Sequence, residues 1–257
     1  MTAAALPGTD GAALWVLPDA VLHVGRSPDP SPHAGSVPCL VVGVDGDVAV
    51  EHGDGAVVGR TALVPPGLRH RVDVAGGRTA FLFLDPLGGR LASCREGFGP
   101  CAGPVPVGHR AQARAVEVLA EGGDATTLLG VVAPRRDDVG DPRVTSALRG
   151  LRGNPDTSAR DLARAVGLSE SHLLALFARH AGMTLRRYRS WTRMGRVARS
   201  VAAGADLTRA SADAGFASPS HFSDAFRALF GTTASRLLAD VPRIHVGDQP
   251  AEPPATS

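Results

Sequence analysis

Ala163-Arg-Ala-Val-Gly167-Leu168-Ser169, followed by Leu173, Phe177 and Gly182, reads as a helix, a tight glycine turn and a second helix. The pattern returns at Ser211-Ala-Asp-Ala-Gly215-Phe216, followed by Ser220, Phe222, Phe226 and Gly231. Leu173 to Phe177 and Phe222 to Phe226 are both four-residue steps, and the step on to the closing glycine is five residues in each copy. The copies are offset by 48 or 49 residues. Two helix–turn–helix units in tandem fit a reader with two recognition helices. Leu168, Leu173 and Phe177 form the inner face of the first unit, and Phe216, Phe222 and Phe226 that of the second. These apolar residues hold the readers in place.

Working outward, cap signals place the helices around this repeat. Asp141-Pro142 supplies a cap and a proline at the first helical position, opening a helix to about Leu151. Ser158 caps the next helix, with Asp161 as its box partner, and Ser169 caps the helix ending near Ala181. Thr184 starts a long helix to about Ala203, stopped by Gly204. Its 20 residues span roughly 30 Å at about 1.5 Å per residue. One turn of B-DNA is about 34 Å, so two readers joined by this strut reach successive major-groove segments. Thr208 and Ser218 are the expected caps of the helices in the second unit.

The charge is distributed to match. The chain has 257 residues and a formal net charge of only +2. Residues 1–140 carry 11 Arg against 15 Asp and Glu, whereas residues 141–240 carry 15 Arg against 8. The basic half is the half with the repeat, which is the footprint phosphate binding needs. Every basic residue is Arg, a forked donor suited to phosphates and guanine edges.

The N-terminal half has a different texture. Short β-rich runs (Leu14–Leu17, Val21–Val24, Val37–Val44, Asp47–Glu51, Thr61–Val64, His70–Val74, Thr79–Leu84) are broken by Gly, Pro and Asp. Such spacing predicts a small barrel or double-sheet sandwich. Helices are expected over Arg110–Glu121 and Ala125–Val132. The expected fold class is therefore α+β in two domains. Residues 1–133 form the sensing and dimerisation domain, 134–140 a linker, 141–240 the all-α DNA-binding domain and 241–257 a disordered tail. Residues 1–13 are small and polar and expected to be loose. Cys39, Cys94 and Cys101 make an odd set without a CxxC, so a reducing cytoplasm is expected. Cys94 and Cys101 near Arg95 are open to a redox role or to none. The first 13 residues lack positive charge and a long apolar run, so no signal peptide is expected, and no run is long enough for a membrane span.

Gly59-Arg-Thr-Ala-Leu-Val-Pro65-Pro-Gly67-Leu-Arg-His70 resembles the second cupin motif, in which a Pro-x-Gly turn joins two strands and the His points into a barrel. The first cupin motif is not met. Around His33 there is no His-x-His and no following Glu, which is too little for a transition-metal site. The sequence calls for no cofactor and no metal. His70 reads either as a hydrogen-bonded barrel residue or, with His33, as a polar wall of an effector pocket.

Leu162-Ala163, Gly167-Leu168-Ser169, Leu173, Phe177, Gly182, Tyr188, Gly215-Phe216, Ser220, Phe222, Phe226-Arg227, Phe230-Gly231 and Thr233 together resemble the AraC family of bacterial transcription regulators. The resemblance covers about a third of the chain. It implies DNA contacts from Ser171, His172, Leu174, Ala175 and Arg179 on the first recognition helix, and from Ser220, Ser223, Asp224 and Arg227 on the second. Ala175 and Asp224 stand where the family often has Arg, and Ala234 where it usually has Pro. Leu174 and Ala175 suit a thymine methyl, and Asp224 suits cytosine N4 or repels phosphate. Arg152, Arg179, Arg186, Arg187, Arg193, Arg196 and Arg227 are the expected phosphate contacts.

The N-terminal half is similar to the sensor domain of such regulators. Its expected effector-lining residues are Trp15, His23, His33, Cys39, Val41, His70 and Phe83, with Arg69 and Arg71 facing out by strand alternation. The expected function is a cytoplasmic, nucleoid-associated transcription regulator controlled by a small molecule. Its expected partners are double-stranded DNA, RNA polymerase and a second copy of itself, and no membrane. The alternatives are a metal-dependent cupin enzyme with a DNA anchor, a DNA alkylation-repair protein, for which three scattered cysteines supply no zinc-thiolate cluster, and a constitutive architectural binder.

Overall fold

Three neighbouring strands carry apolar side chains on both faces, and this sets the architecture. Along β2 (Ala20–Arg26), β4 (Cys39–Gly43) and β9 (Arg78–Leu84), Leu22, Leu40 and Leu82 stand opposite one another on one face. Val21, Cys39 and Phe83 do so on the other. A sheet apolar on both faces must be covered on both. In the computed structural model, which describes residues 11–26, 31–53, 55–136, 141–241 and 244–247, it is.

These strands lie inside a six-stranded sheet. Its order is β10 (Ile244–Val246), β1 (Ala13–Val16), β2, β9, β4 and β7 (Thr61–Val64). The outer face is covered by α1 (Leu91–Glu96), α2 (Gln112–Ala120) and α3 (Ala125–Val132). Their Leu91, Cys94, Ala115, Val118, Leu119, Leu128 and Leu129 join Leu22, Leu40 and Leu82 in one buried cluster. The inner face meets a four-stranded sheet of order β3 (His33–Ala34), β8 (Arg69–Asp73), β5 (Val48–His52) and β6 (Gly55–Gly59). Val41 and Val64 pack there on Val48, Val50 and Val72. The Pro65-Pro66-Gly67 turn carries the chain from one sheet to the other, and the Gly67 N–H donates to Gly35 O at 2.9 Å.

The C-terminal half is helical throughout: α4 (Pro142–Gly153), α5 (Ala159–Ala165), α6 (Glu170–Ala181), α7 (Leu185–Ala202), α8 (Leu207–Asp213), α9 (Pro219–Phe230) and α10 (Ala234–Asp240). Each begins on a side chain that accepts a backbone N–H: Asp141, Ser158, Ser169, Thr184, Asp206, Ser218 and Thr233. A cap of this kind is worth about 1 kcal/mol. Thr208, the expected cap of α8, lies inside the helix; Asp206 caps it two residues earlier, because its carboxylate reaches the Arg209 N–H at 2.9 Å. Gly167 and Gly215, between the helices of the two units, have φ of +68° and +87°, a region an L side chain enters only at a cost.

Five elements lie outside the expected set: α1, α10, β3, β6 and β10. Ile244–Val246 falls in the segment expected to be a disordered tail. It pairs in parallel with Leu14–Val16, and His245 stacks on Trp15 with ring centroids 5.1 Å apart. Residues 242–243 and 248–257 of that segment, residues 1–10 of the expected loose terminus and residues 137–140 of the expected linker lie outside the described residues. Among the described residues no helix is long and apolar enough to cross a membrane.

Candidate nucleic-acid interface and effector cavity

The two recognition helices follow from the pattern of α6 and α9. Each buries one stripe: Leu173, Leu176, Phe177 and Ala181 on α6, Phe222 and Leu229 on α9. The opposite stripes are exposed. Ser171, His172, Leu174, Ala175 and Arg179 all face solvent on α6, and Ser220, Ser223, Asp224 and Arg227 on α9. Leu174 stands out as one of the few exposed large apolar side chains, at 38%. The two reading faces are thus free while the domain is packed on the barrel. α7 joins them as an 18-residue strut of about 27 Å.

The arginines of α7 divide into two groups. Arg186 is exposed on its first turn. Arg193 pairs with Asp156, Arg196 donates to Gly153 O at 2.8 Å, and Arg189 donates to Thr157 O. These three brace the strut against the end of α4 and the loop that follows it. Arg187, also an expected phosphate contact, donates across the domain boundary to Ala34 O at 3.2 Å. Arg187, Arg193 and Arg196 are therefore engaged within the protein rather than held out as free cations.

Arg152 departs furthest from expectation. It donates to Asp85 Oδ2 at 2.7 Å and to Tyr188 Oη at 3.2 Å, and Tyr188 itself donates to Asp85 Oδ2 at 2.8 Å. Asp85 directly follows the barrel's β9, Arg152 lies on α4 and Tyr188 on α7, so this triad locks the halves together. Burial works against the Arg152 charge, but Asp85 outweighs it and holds the guanidinium's pKa above its usual value. Burial, then Asp85, pushes the Tyr188 phenol well up. Sequence reasoning missed this tie because each member has an ordinary explanation alone. Tyr188 is the only tyrosine of the chain, and that was the available signal.

The same boundary encloses a cavity of about 100 Å³. The barrel contributes Leu14, Val21, His23, His33, Gly35, Val37, Cys39, Val41, Val64, Pro65, His70, Val72, Phe81 and Phe83; the helices contribute Trp191, Met194, Gly195, Ala198, Phe226, Phe230, Thr232 and Leu237. Six of the seven expected lining residues are on it. Trp15 is not: along β1 the inward position falls to Leu14, and Trp15 turns to the outer face, where it joins the cluster under α1–α3. The unexpected half is the wall from α7, α9 and the α9–α10 loop. Phe83 bridges the two walls, with its ring centroid 6.3 Å from Trp191 and 5.2 Å, edge-on, from Phe230.

The polar groups of the cavity are few and held neutral. His33 and His70 are cross-strand partners with ring centroids 4.5 Å apart. Burial lowers the pKa of His23 to about 4 and that of His33 to about 4, and it lowers that of His70. Arg69, beside His70, faces solvent as strand alternation demands. Burial pushes the Cys39 thiol far up and that of Cys94 to about 12, which disfavours the thiolate form of both, while Cys101 is exposed. Among the described residues no three His, Cys, Asp or Glu side chains come together as metal ligands would.

A family profile described as a helix-turn-helix domain matches residues 162–240. No curated protein matches the chain. Among solved structures, an apo variant of ToxT from Vibrio cholerae is 11% identical, covers 87% of this chain and 98% of its own, and has a TM-score of 0.59. Wild-type ToxT from Vibrio cholerae with an unsaturated fatty acid bound is 11% identical, with coverage of 88% and 96% and a TM-score of 0.55. At that identity the likeness is one of fold, and it extends over both halves. A transcriptional regulator from Chromobacterium violaceum, described as having an AraC-type DNA-binding domain, is 27% identical over 38% of this chain and 90% of its own, at a TM-score of 0.36.

Proposed function

We propose, for a chain whose residues 162–240 are an AraC-type helix-turn-helix domain, that it is a sequence-specific DNA-binding transcription regulator controlled by a small molecule from the cavity between its halves. The observation that carries the reading is the shared wall: Phe83 and His70 of the barrel and Trp191, Phe226 and Phe230 of the helical domain line one space. A ligand there touches the strut α7 and the reader α9 at once. It shifts the balance between docked and undocked arrangements by its difference in affinity for the two.

DNA recognition is assigned to the exposed residues of α6 and α9, with phosphate contacts from Arg179, Arg186 and Arg227. Arg187, Arg193 and Arg196 instead fix the geometry of the strut. The functional unit is a homodimer on repeated half-sites, formed through the outer side of α2 or through the edge strand β6, where Val58 is 63% exposed. Contact with RNA polymerase and a cytoplasmic, nucleoid-associated location follow from that role. No catalytic step is assigned.

The test is selection of bound sequences from random DNA with the purified full-length protein. A defined motif is expected, with binding that weakens as salt rises, since each released phosphate counterion contributes about −0.9 to the slope of log K against log[salt]. A flat salt dependence, or enrichment of no motif, removes the reading.

A further inference from the structure

The cavity also states what kind of molecule it takes, an inference that rests on reading it as the effector site. Its walls are apolar, and no Asp, Glu or Arg lines it among the described residues. A charged ligand would lose its hydration there without a counter-ion.

The polar groups are more specific. His33 Nδ1 lies 3.0 Å from Ser31 O, and His70 Nδ1 lies 2.9 Å from Leu68 O. A carbonyl oxygen only accepts, so each Nδ1 carries the ring proton. In a neutral imidazole that leaves Nε2 as an acceptor. Two rings 4.5 Å apart thus offer acceptors and no ring donor of their own. Burial keeps both rings neutral at physiological pH. A carboxylate would set lone pairs against lone pairs, whereas a hydroxyl donates its hydrogen into the pair. On the helical wall, Thr232 is 8% exposed, and its Oγ1 is buried with no hydrogen-bond partner among the described residues. Thr232 directly precedes Thr233, the cap of α10, so its hydroxyl belongs to the second reading unit. Cavity size sets an upper limit: a dry apolar cavity of roughly 150 Å³ admits a benzene ring, so this one, at about 100 Å³, takes no more than about one ring.

We propose that the effector is a small, uncharged alcohol or phenol of about one ring, whose hydroxyl donates to the His33–His70 pair, and that the site discriminates against carboxylates. The aromatic walls from Phe83, Trp191 and Phe230 take the ring, and Thr232 is placed to bond a second polar group from the reader side.

The experiment titrates the full-length protein at pH 7.5 with p-cresol, its methyl ether and p-toluate. Binding is read by calorimetry, and operator affinity is measured in parallel. p-Cresol is expected to bind at least about tenfold more tightly than the ether, the worth of one well-made hydrogen bond, and p-toluate is expected not to bind. His70→Leu should remove the preference for the alcohol while leaving the ether's affinity in place. Ether binding equal to p-cresol, p-toluate binding more tightly, or no binding of p-cresol overturns the ligand class. So does Zn(II), added alone, occupying the pair in a manner abolished by His70→Leu. Binding of p-cresol in the expected order with operator affinity unchanged upholds the ligand class and instead overturns the reading of the cavity as the control site.

Discussion

Asp85 is the residue on which the two halves turn. One oxygen takes the Leu87 N–H at 2.9 Å, and the other takes Tyr188 and Arg152 together. Tyr188→Phe removes one donor and leaves the Arg152 pair in place. Stability to urea should fall by about 1 kcal/mol, with the loss in the transition that reports domain docking. A variant as stable as the parent would show that the phenol is not held by Asp85. The cavity histidines make a second residue-scale prediction. His23 has its pKa near 4 in the folded protein and 6.5 as its ordinary value. The unfolded chain therefore binds the extra proton first, and stability present above pH 6.5 is lost as the pH falls toward 4. For His23 the loss is at most about 3 kcal/mol. His23→Leu should flatten the fall in melting temperature between pH 7 and pH 4.5; an unchanged fall would place the effect elsewhere. At this scale the sequence was readable wherever a residue's role is local. Ser158, Ser169, Thr184 and Ser218 were recognisable as caps because a cap needs only the next turn of chain. Trp15 was misplaced by one step of strand register, since Leu14 and Trp15 are both large and apolar and only the sheet decides which turns inward.

At the scale of elements, α6 and α9 were legible because a repeat tests itself: the same spacing occurs twice. Ser223 makes its own back-bond to Pro219 O at 2.9 Å and is exposed on α9. Ser223→Arg should change the preferred base at one position of the selected motif while leaving the fold intact; an unaltered profile would mean that α9 does not read bases. The strut was legible in length but not in its connections. Arg193 and Arg196 look like phosphate ligands in a string of letters. They find Asp156 and Gly153 only because the end of α4 and the loop after it lie beside α7. The overlooked strands β3, β6 and β10 are short or glycine-rich, with too few alternations to register against background. β3 contributes just two residues, yet it holds His33 opposite His70.

At the scale of the whole molecule, two domains could be read from charge and texture, but not their closure on one another. Val37 and Leu87 from the barrel share a buried cluster with Leu148, Leu151, Phe177 and Tyr188. Apolar residues of each half, read alone, look like part of that half's own core. The last link is β10, which leaves the helical domain and returns to pair with β1. Deleting residues 241–257 should therefore weaken the effect of ligand on operator affinity, although the described reading residues all precede the cut. A deletion that leaves the ligand response intact would make the strand incidental. The helical domain is fastened at both its ends, so it is less a flag on a string than a door with a hinge and a latch. A domain on one tether explores a wide volume once its interface opens, and re-docking then costs the entropy of recapture; a domain fastened twice stays within reach, so opening is cheap to reverse. A protease that nicked the chain just past α10 would leave every base-contacting side chain untouched and still change the switch, from one that closes again promptly to one that drifts.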